Sequence, residues 1–209
     1  MINRFPTAHH LTRTDDAYIP PELIALTHRT VTPEQFEQLC AEYDDWRLEL
    51  TSTGELIVMP GTSLRTGRRN ANLTAQLTVW TEKDATGVCF DSSAILTLPN
   101  KARRSPDASW VRREKWDSLS ETQQDSFAPI CPDFVVELRS RSDRLRVLLN
   151  KMSEYVSNGV SLGWLIDPYK RQVYVYRPYN EIAILNNSET LSGDPLLPGF
   201  KLDLTKLWL

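Results

Sequence analysis

The chain has 209 residues, 41% of them hydrophobic and 24% charged, with a formal net charge of −3. That length suits one ordinary domain with a real core and is marginal for two. The composition is that of a soluble globular protein, no apolar run approaches the roughly 18 residues of a membrane span, and the overall acidity gives no strong long-range attraction for a polyanion.

The charge is unevenly spread. Residues 1–100 carry 8 Lys/Arg against 13 Asp/Glu, whereas residues 101–151 carry 11 against 8. A solvated face is the ordinary source of such a cluster. Cys40, Cys89 and Cys131 are scattered and odd in number; they show no zinc spacing and suit a reducing cytoplasm. His9, His10 and His28 fall in or near the N-terminal stretch, which argues against a histidine metal site or a Ser/His triad. That stretch has no apolar h-region, so no signal peptide is expected.

Residues 1–30 read as an arm, with Pro20-Pro21 as a breaker, and residues 31–209 as a single domain. Thr32 and Pro33 open a helix with Phe36, Leu39 and Cys40 on one stripe. "WRLELTSTGELIVMP" reads as a hairpin turning at Ser52-Thr53-Gly54. Residues 66–83 read as a helix through Leu73, Leu77 and Trp80. A strand pair follows, "GVCFDSSAILTLP" and "SPDASWVRR", then the polar helix-like "REKWDSLSETQQDSF" and the buried strand "CPDFVVELRS". The next helix has Ser140 or Ser142 as cap, Leu145, Leu149, Met152 and Val156 on one face, and Asn158-Gly159 as its stop. "LGWLIDP" and "QVYVYRP" are two further strands. The Pro- and Gly-punctuated tail ending in "LTKLWL" is expected to pack back on the core, with an interface as its other reading. Together the elements predict an α/β domain, a central sheet flanked by helices.

Two carboxylates and a lysine stand out. Glu137 interrupts a strand with apolar residues on both faces, so it belongs to a covered sheet. An isolated ionised carboxylate there costs several kcal/mol or shifts its pKa. A pair with Arg139, Arg141 or Arg144 would compensate for it. Asp107 follows a proline at the head of another strand, where a turn role is the ordinary one. Lys151 falls roughly 100–110° from the centre of its helix's apolar stripe. From that rim it either snorkels to water or reaches over the sheet edge toward Glu137. Two carboxylates, nearby carbonyls and a lysine would also make a hard-oxygen site for Mg²⁺ or Mn²⁺.

The ordered set "ELTSTGELIVMPGT", "SPDASWV", "CPDFVVELRS", "LLNKMSEYVSNGVSLGWLIDPYKRQVYVYRP" and "LSGDPLLPGFKLDL" resembles the Uma2 family of restriction-endonuclease-like proteins, abundant in cyanobacteria and similar to PD-(D/E)XK nucleases. The resemblance covers roughly residues 31–205. It implies a restriction-endonuclease-like central mixed sheet flanked by helices, with an N-terminal helix and β-hairpin extension. It implies Mg²⁺- or Mn²⁺-dependent hydrolysis of phosphodiester bonds in DNA; the expectation of a cytoplasmic protein without membrane association rests on the cysteines and the missing apolar run. Asp107 and Glu137 match the metal ligands, with the backbone carbonyl of Leu138 as a third. The lysine usually two residues beyond the acid is Arg139 here, and Lys151 of the following helix matches its replacement. Glu49 matches an acidic hairpin position, and it joins Asn70 and Arg139 as an auxiliary site residue. Arg68, Arg104 and Arg141 would hold the substrate phosphate. A homodimer would suit cutting of both strands. The other function in view is a binding module for nucleic acid or protein that kept the fold and lost catalysis.

Overall fold

The computed structural model describes residues 19–59 and 61–209. The first 18 residues of the expected arm, His9 and His10 among them, lie outside these. Within the remainder, Pro21–Leu26 forms a short helix (α1), and its Leu23 is fully buried in a cluster with Phe36 and Leu48. This part of the stretch therefore packs against the domain.

The next helix, Pro33–Glu42 (α2), starts as its sequence dictates. Gln35 N–H donates to the Thr32 hydroxyl at 3.3 Å, and Thr32 N–H donates to the Gln35 side chain at 2.9 Å, a reciprocal cap. Arg47–Leu50 (β1) and Leu56–Met59 (β2) form the hairpin. Its turn needs Gly54: φ is +83°, and an added Cβ would stand 2.6 Å from Thr30 Cγ2. The long helix Leu64–Asp84 (α3) is capped by the Ser63 hydroxyl, which accepts from Thr66 N–H at 3.3 Å.

The expected strand pair resolves into four short strands in two sheets: Gly87–Asp91 (β3), Leu96–Thr97 (β4), Arg103–Arg104 (β5) and Ala108–Arg112 (β6). Pro106 has no N–H to give to a ladder, and there the chain leaves one sheet for the other. Two short helices, Arg113–Asp117 (α4) and Glu121–Gln124 (α5), lead to Phe134–Leu138 (β7). Then come Leu145–Ser157 (α6), Leu162–Asp167 (β8), Gln172–Tyr176 (β9), Ala183–Asn186 (β10), Thr190–Ser192 (β11) and Lys201–Asp203 (β12).

The main sheet has the order β10-β9-β8-β7-β6-β3, and the smaller one β2-β1-β5-β4. The main sheet is mixed. β7 and β8 are parallel and the other pairs antiparallel. Helix α6 makes the crossover that a parallel pair requires. Phe134, Val136 and Leu138 point to the face covered by Leu73 and Leu77 of α3 and by the tail, whose Leu197, Phe200, Leu204 and Leu207 are buried there. The "LTKLWL" segment thus docks on its own core. Val135 lies on the opposite face, with Met152 and Tyr155 of α6, and the two-residue period puts Glu137 on that face too.

Two details of α6 differ from expectation. Its N-cap is Arg144, which makes no capping bond. Ser140 and Ser142 instead bond each other at 3.0 Å, while Asp143 accepts from Ser140 N–H at 2.6 Å. Its buried face is also shifted: Met152 and Tyr155 are fully buried, while Leu145, Leu149 and Val156 are only partly so. Leu98 and Ala102 from the other sheet's connection pack against the same helix, so a second neighbour widens the buried arc toward Tyr155 and Lys151. Strand β10 was not expected; all four of its residues are exposed, which leaves no alternation to read.

Candidate active site

Pro106 ends the smaller sheet, and Asp107 opens the crossing to β6. The β6–β7 register sets Ala108 opposite Val136. One step further it brings Asp107 opposite Glu137, on the same face of the sheet. Two acids 30 residues apart in the chain therefore meet because a proline forces the strand change at the point where β7 carries its carboxylate. Both are buried, Asp107 at 9% exposure and Glu137 at 4%.

Their hydrogen bonds fix each in place. Asp107 Oδ2 accepts from Leu138 N–H at 2.8 Å, and Oδ1 accepts from Asn70 Nδ2 of α3 at 3.1 Å, with the Arg47 guanidinium 3.7 Å away. Glu137 Oε1 accepts from the Tyr155 hydroxyl at 2.9 Å and pairs with Lys151 Nζ at 2.7 Å. Among the described residues no donor reaches its Oε2. Lys151 does not snorkel. Its side chain is 10% exposed and pairs also with Glu49 Oε1 at 2.7 Å. Tyr155 and Lys151 arrive together because residues four apart on a helix are neighbours.

These contacts set the ionisation of the group. Burial raises Asp107 above the usual carboxylate range, against the Leu138 N–H and the nearby cations. Burial also pushes Glu137 up to about 7; the charges of Asp107 and Glu49 add to this, and Lys151 opposes it. Burial works the same way on Glu49, but Lys151 and Arg104 outweigh it and hold that carboxyl low. For Lys151 burial disfavours the ammonium, yet Glu137 and Glu49 more than offset it, and the pKa is raised. Lys151 is therefore a fixed cation rather than a base. Tyr155, buried beside Glu137 and Glu49, is raised well above the ordinary phenol value.

A cleft of about 460 Å³ opens over this group, walled by Arg47, Asn70, Asp107, Glu137, Arg141 and Lys151 among others, with the start of α3 along one side. The sequence-predicted residues divide accordingly. Asp107, Glu137, Leu138, Lys151 and Asn70 line it, as does Arg141, which also stacks 5.5 Å from the Tyr169 ring. Glu49 joins them through Lys151. Arg104, expected to hold phosphate, is consumed instead by Glu49 at 3.1 Å and Glu154 at 2.6 Å and is buried. Arg139 turns to Asp167 at 2.7 Å and to the Asp143 carbonyl at 3.2 Å, so it compensates Asp167 and leaves Glu137 to Lys151. Arg68 is exposed on α3 and is not a wall of the cleft. Sequence reasoning missed the roles of Tyr155, Glu154 and Arg47. Signals existed: Glu154 and Tyr155 stand three and four residues beyond Lys151, and Arg47 precedes Glu49 by two on one strand.

A split mixed sheet with two acids from adjacent strands, and a lysine delivered by the crossover helix, defines a restriction-endonuclease-like fold. The chain belongs to the Uma2 family, whose sequence model, described as "Putative restriction endonuclease", matches residues 33–205. A solved structure described as a "putative nuclease belonging to DUF820" from Anabaena variabilis has the same fold. It superposes with a TM-score of 0.67 at 20% identity, over 77% of this chain and 89% of that one. No curated protein matches. Among the described residues no helix is long and apolar enough to cross a membrane, and no three His, Cys, Asp or Glu side chains form a ready metal cage.

Proposed function

We propose that the protein is a Mg²⁺- or Mn²⁺-dependent endonuclease that hydrolyses phosphodiester bonds in DNA, with Asp107, Glu137 and Lys151 as its catalytic residues. One observation carries this: Asp107 and Glu137 face each other across β6 and β7 in a cleft that also holds an ammonium 2.7 Å from Glu137. The family's description as a "Putative restriction endonuclease" and the likeness to a solved structure described as a "putative nuclease" support it.

The donor set suits a hard cation. Glu137 Oε2, Asp107 Oδ1 and the Leu138 carbonyl would hold it. Mg²⁺ keeps several waters and takes one or two carboxylates, so three acids are not required. Both carboxyls are raised by burial, and a cation between them would relieve that cost. When bound, the ion would polarise a phosphoryl oxygen and lower the pKa of a water. The chain's own residues do the rest. Leu138 N–H and Asn70 orient Asp107. Tyr155 keeps its proton and holds Glu137 Oε1, which leaves Oε2 toward the cleft. Lys151 keeps its proton at Nζ and stabilises charge developing on the phosphate. Arg47 and Arg141 on the walls would contact flanking phosphates.

A second reading, a binding module without catalysis, is favoured by a different observation: Lys151 pairs with both Glu49 and Glu137 and so already compensates the buried acids. Plasmid nicking with Mg²⁺ separates the two. Wild type should cut, and Asp107→Asn and Glu137→Gln should each lose about a hundredfold. Equal nicking by all three proteins would mark a contaminant and remove the nuclease reading; metal binding without cutting would leave the module.

A further inference from the structure

The charges behind Lys151 close into a ring. Lys151 Nζ pairs with Glu49 Oε1 at 2.7 Å, Glu49 Oε2 with Arg104 at 3.1 Å, and Arg104 with Glu154 Oε2 at 2.6 Å. Glu154 stands one helical turn beyond Lys151 on α6, so the ring returns to its starting helix. Two outside donors brace it: Ser105 N–H reaches Glu49 Oε1 at 2.9 Å, and Asn100 Nδ2 reaches Glu154 Oε1 at 3.0 Å. Glu49, Arg104 and Glu154 do not wall the cleft. Only the Lys151 ammonium connects the ring to it.

Such a ring is a poor device for stability alone. Buried ion pairs are often matched or bettered by apolar residues of similar volume. Its geometric consequence is specific: Glu49 of β1, itself held by Arg104 of β5, takes the ammonium at 2.7 Å, the same distance at which Glu137 holds it. We infer that Glu49 is a positioning residue, and that with Arg104 and Glu154 it forms a bracket that keeps Lys151 from collapsing onto Glu137. With Glu49 present, the ammonium is shared between two carboxylates, and Glu137 can give its other oxygen to a cation. Without Glu49 the ammonium has Glu137 alone and competes with the cation for it. This rests on the reading of the cleft as a divalent-cation site, not on DNA being cut.

The test is a double-mutant cycle on Mn²⁺ affinity, measured by calorimetry with Mn²⁺ alone. Glu49→Gln should weaken Mn²⁺ binding about tenfold when Lys151 is present and less than twofold in a Lys151→Met background. Equal factors in the two backgrounds mean that Glu49 acts by charge alone and overturn the inference while the cation site stands. A wild type that binds no Mn²⁺ removes the cation site and the inference together. If the wild type cuts DNA, Glu49→Gln should lower kcat at least tenfold with KM unchanged, whereas a merely structural residue would lower the thermal midpoint and spare both constants. Should Lys151→Met not fold, Glu154→Gln, nearest to solvent in the ring, takes its place: about threefold weaker Mn²⁺ binding is expected, and wild-type affinity overturns the inference.

Discussion

Acid should empty the cleft before it unfolds the protein. Glu137 titrates at about 7 because burial disfavours its charge, with Asp107 and Glu49 adding to the shift and Lys151 opposing it. To hold a cation the carboxyl must lose its proton. At pH 5.5 roughly 3% of Glu137 is ionised, so Mn²⁺ affinity should fall by roughly thirtyfold from its value at pH 8, about 2 kcal/mol. Calorimetric titration at pH 5.5, 6.5 and 7.5, in two buffers of different ionisation heat, reads both the affinity and the proton released. Glu137→Gln should bind more weakly and without this dependence. An affinity flat across that range, with no proton passed to the buffer, would refute the reasoning. Folding stability carries a sign of its own. The folded value lies above the unfolded 4.5, so between the two the metal-free folded chain holds a proton that the unfolded chain gives up. The contribution is intact below 4.5 and is lost as pH rises through 7, by up to about 3 kcal/mol. Glu49, held low by Lys151 and Arg104 against its burial, acts with the opposite sign: its contribution is present above 4.5 and is lost in acid.

Lys151→Met leaves Glu49 and Glu137 without their shared cation; it should destabilise the fold by about 3–5 kcal/mol at pH 8 and by less at pH 5, where Glu137 is protonated, as denaturant midpoints would show. Arg139→Ala removes the partner of the fully buried Asp167, so it should lower the thermal midpoint and leave the Mn²⁺ affinity of the cleft within twofold of wild type. A large loss of affinity would mean that Arg139 serves the site. Leu23→Ala opens a cavity in the cluster with Phe36 and Leu48 and should cost about 2–5 kcal/mol. An unchanged unfolding curve would show that α1 is an appendage.

Much of the architecture was legible from local rules. The Thr32-Pro33 cap, the Gly54 turn, the period of α3 and the apolar run of β7 each follow from interactions within a few residues, and the order of motifs carried the family. Glu137 was visible as an anomaly because a charge in a covered strand needs a partner whatever the fold.

The choice of that partner was not legible. Four arginines, Arg139, Arg141, Arg144 and Arg146, lie closer to Glu137 in sequence than Lys151 does, yet Lys151 took the place. Strand alternation turns Glu137 toward α6, and the helix phase, shifted by a second neighbour at Leu98 and Ala102, turns Lys151 inward. Arg104 looked like a phosphate ligand and became a structural cation, since the smaller sheet sets it between Glu49 and Glu154. Periodicity ranks the residues of one element by face; it says nothing of which face of another element arrives opposite. By itself the sequence determined which side chains had to be compensated. Only the tertiary structure decided by which, because pairing energies depend on distances of a few ångströms between segments as far apart as Glu49 and Lys151.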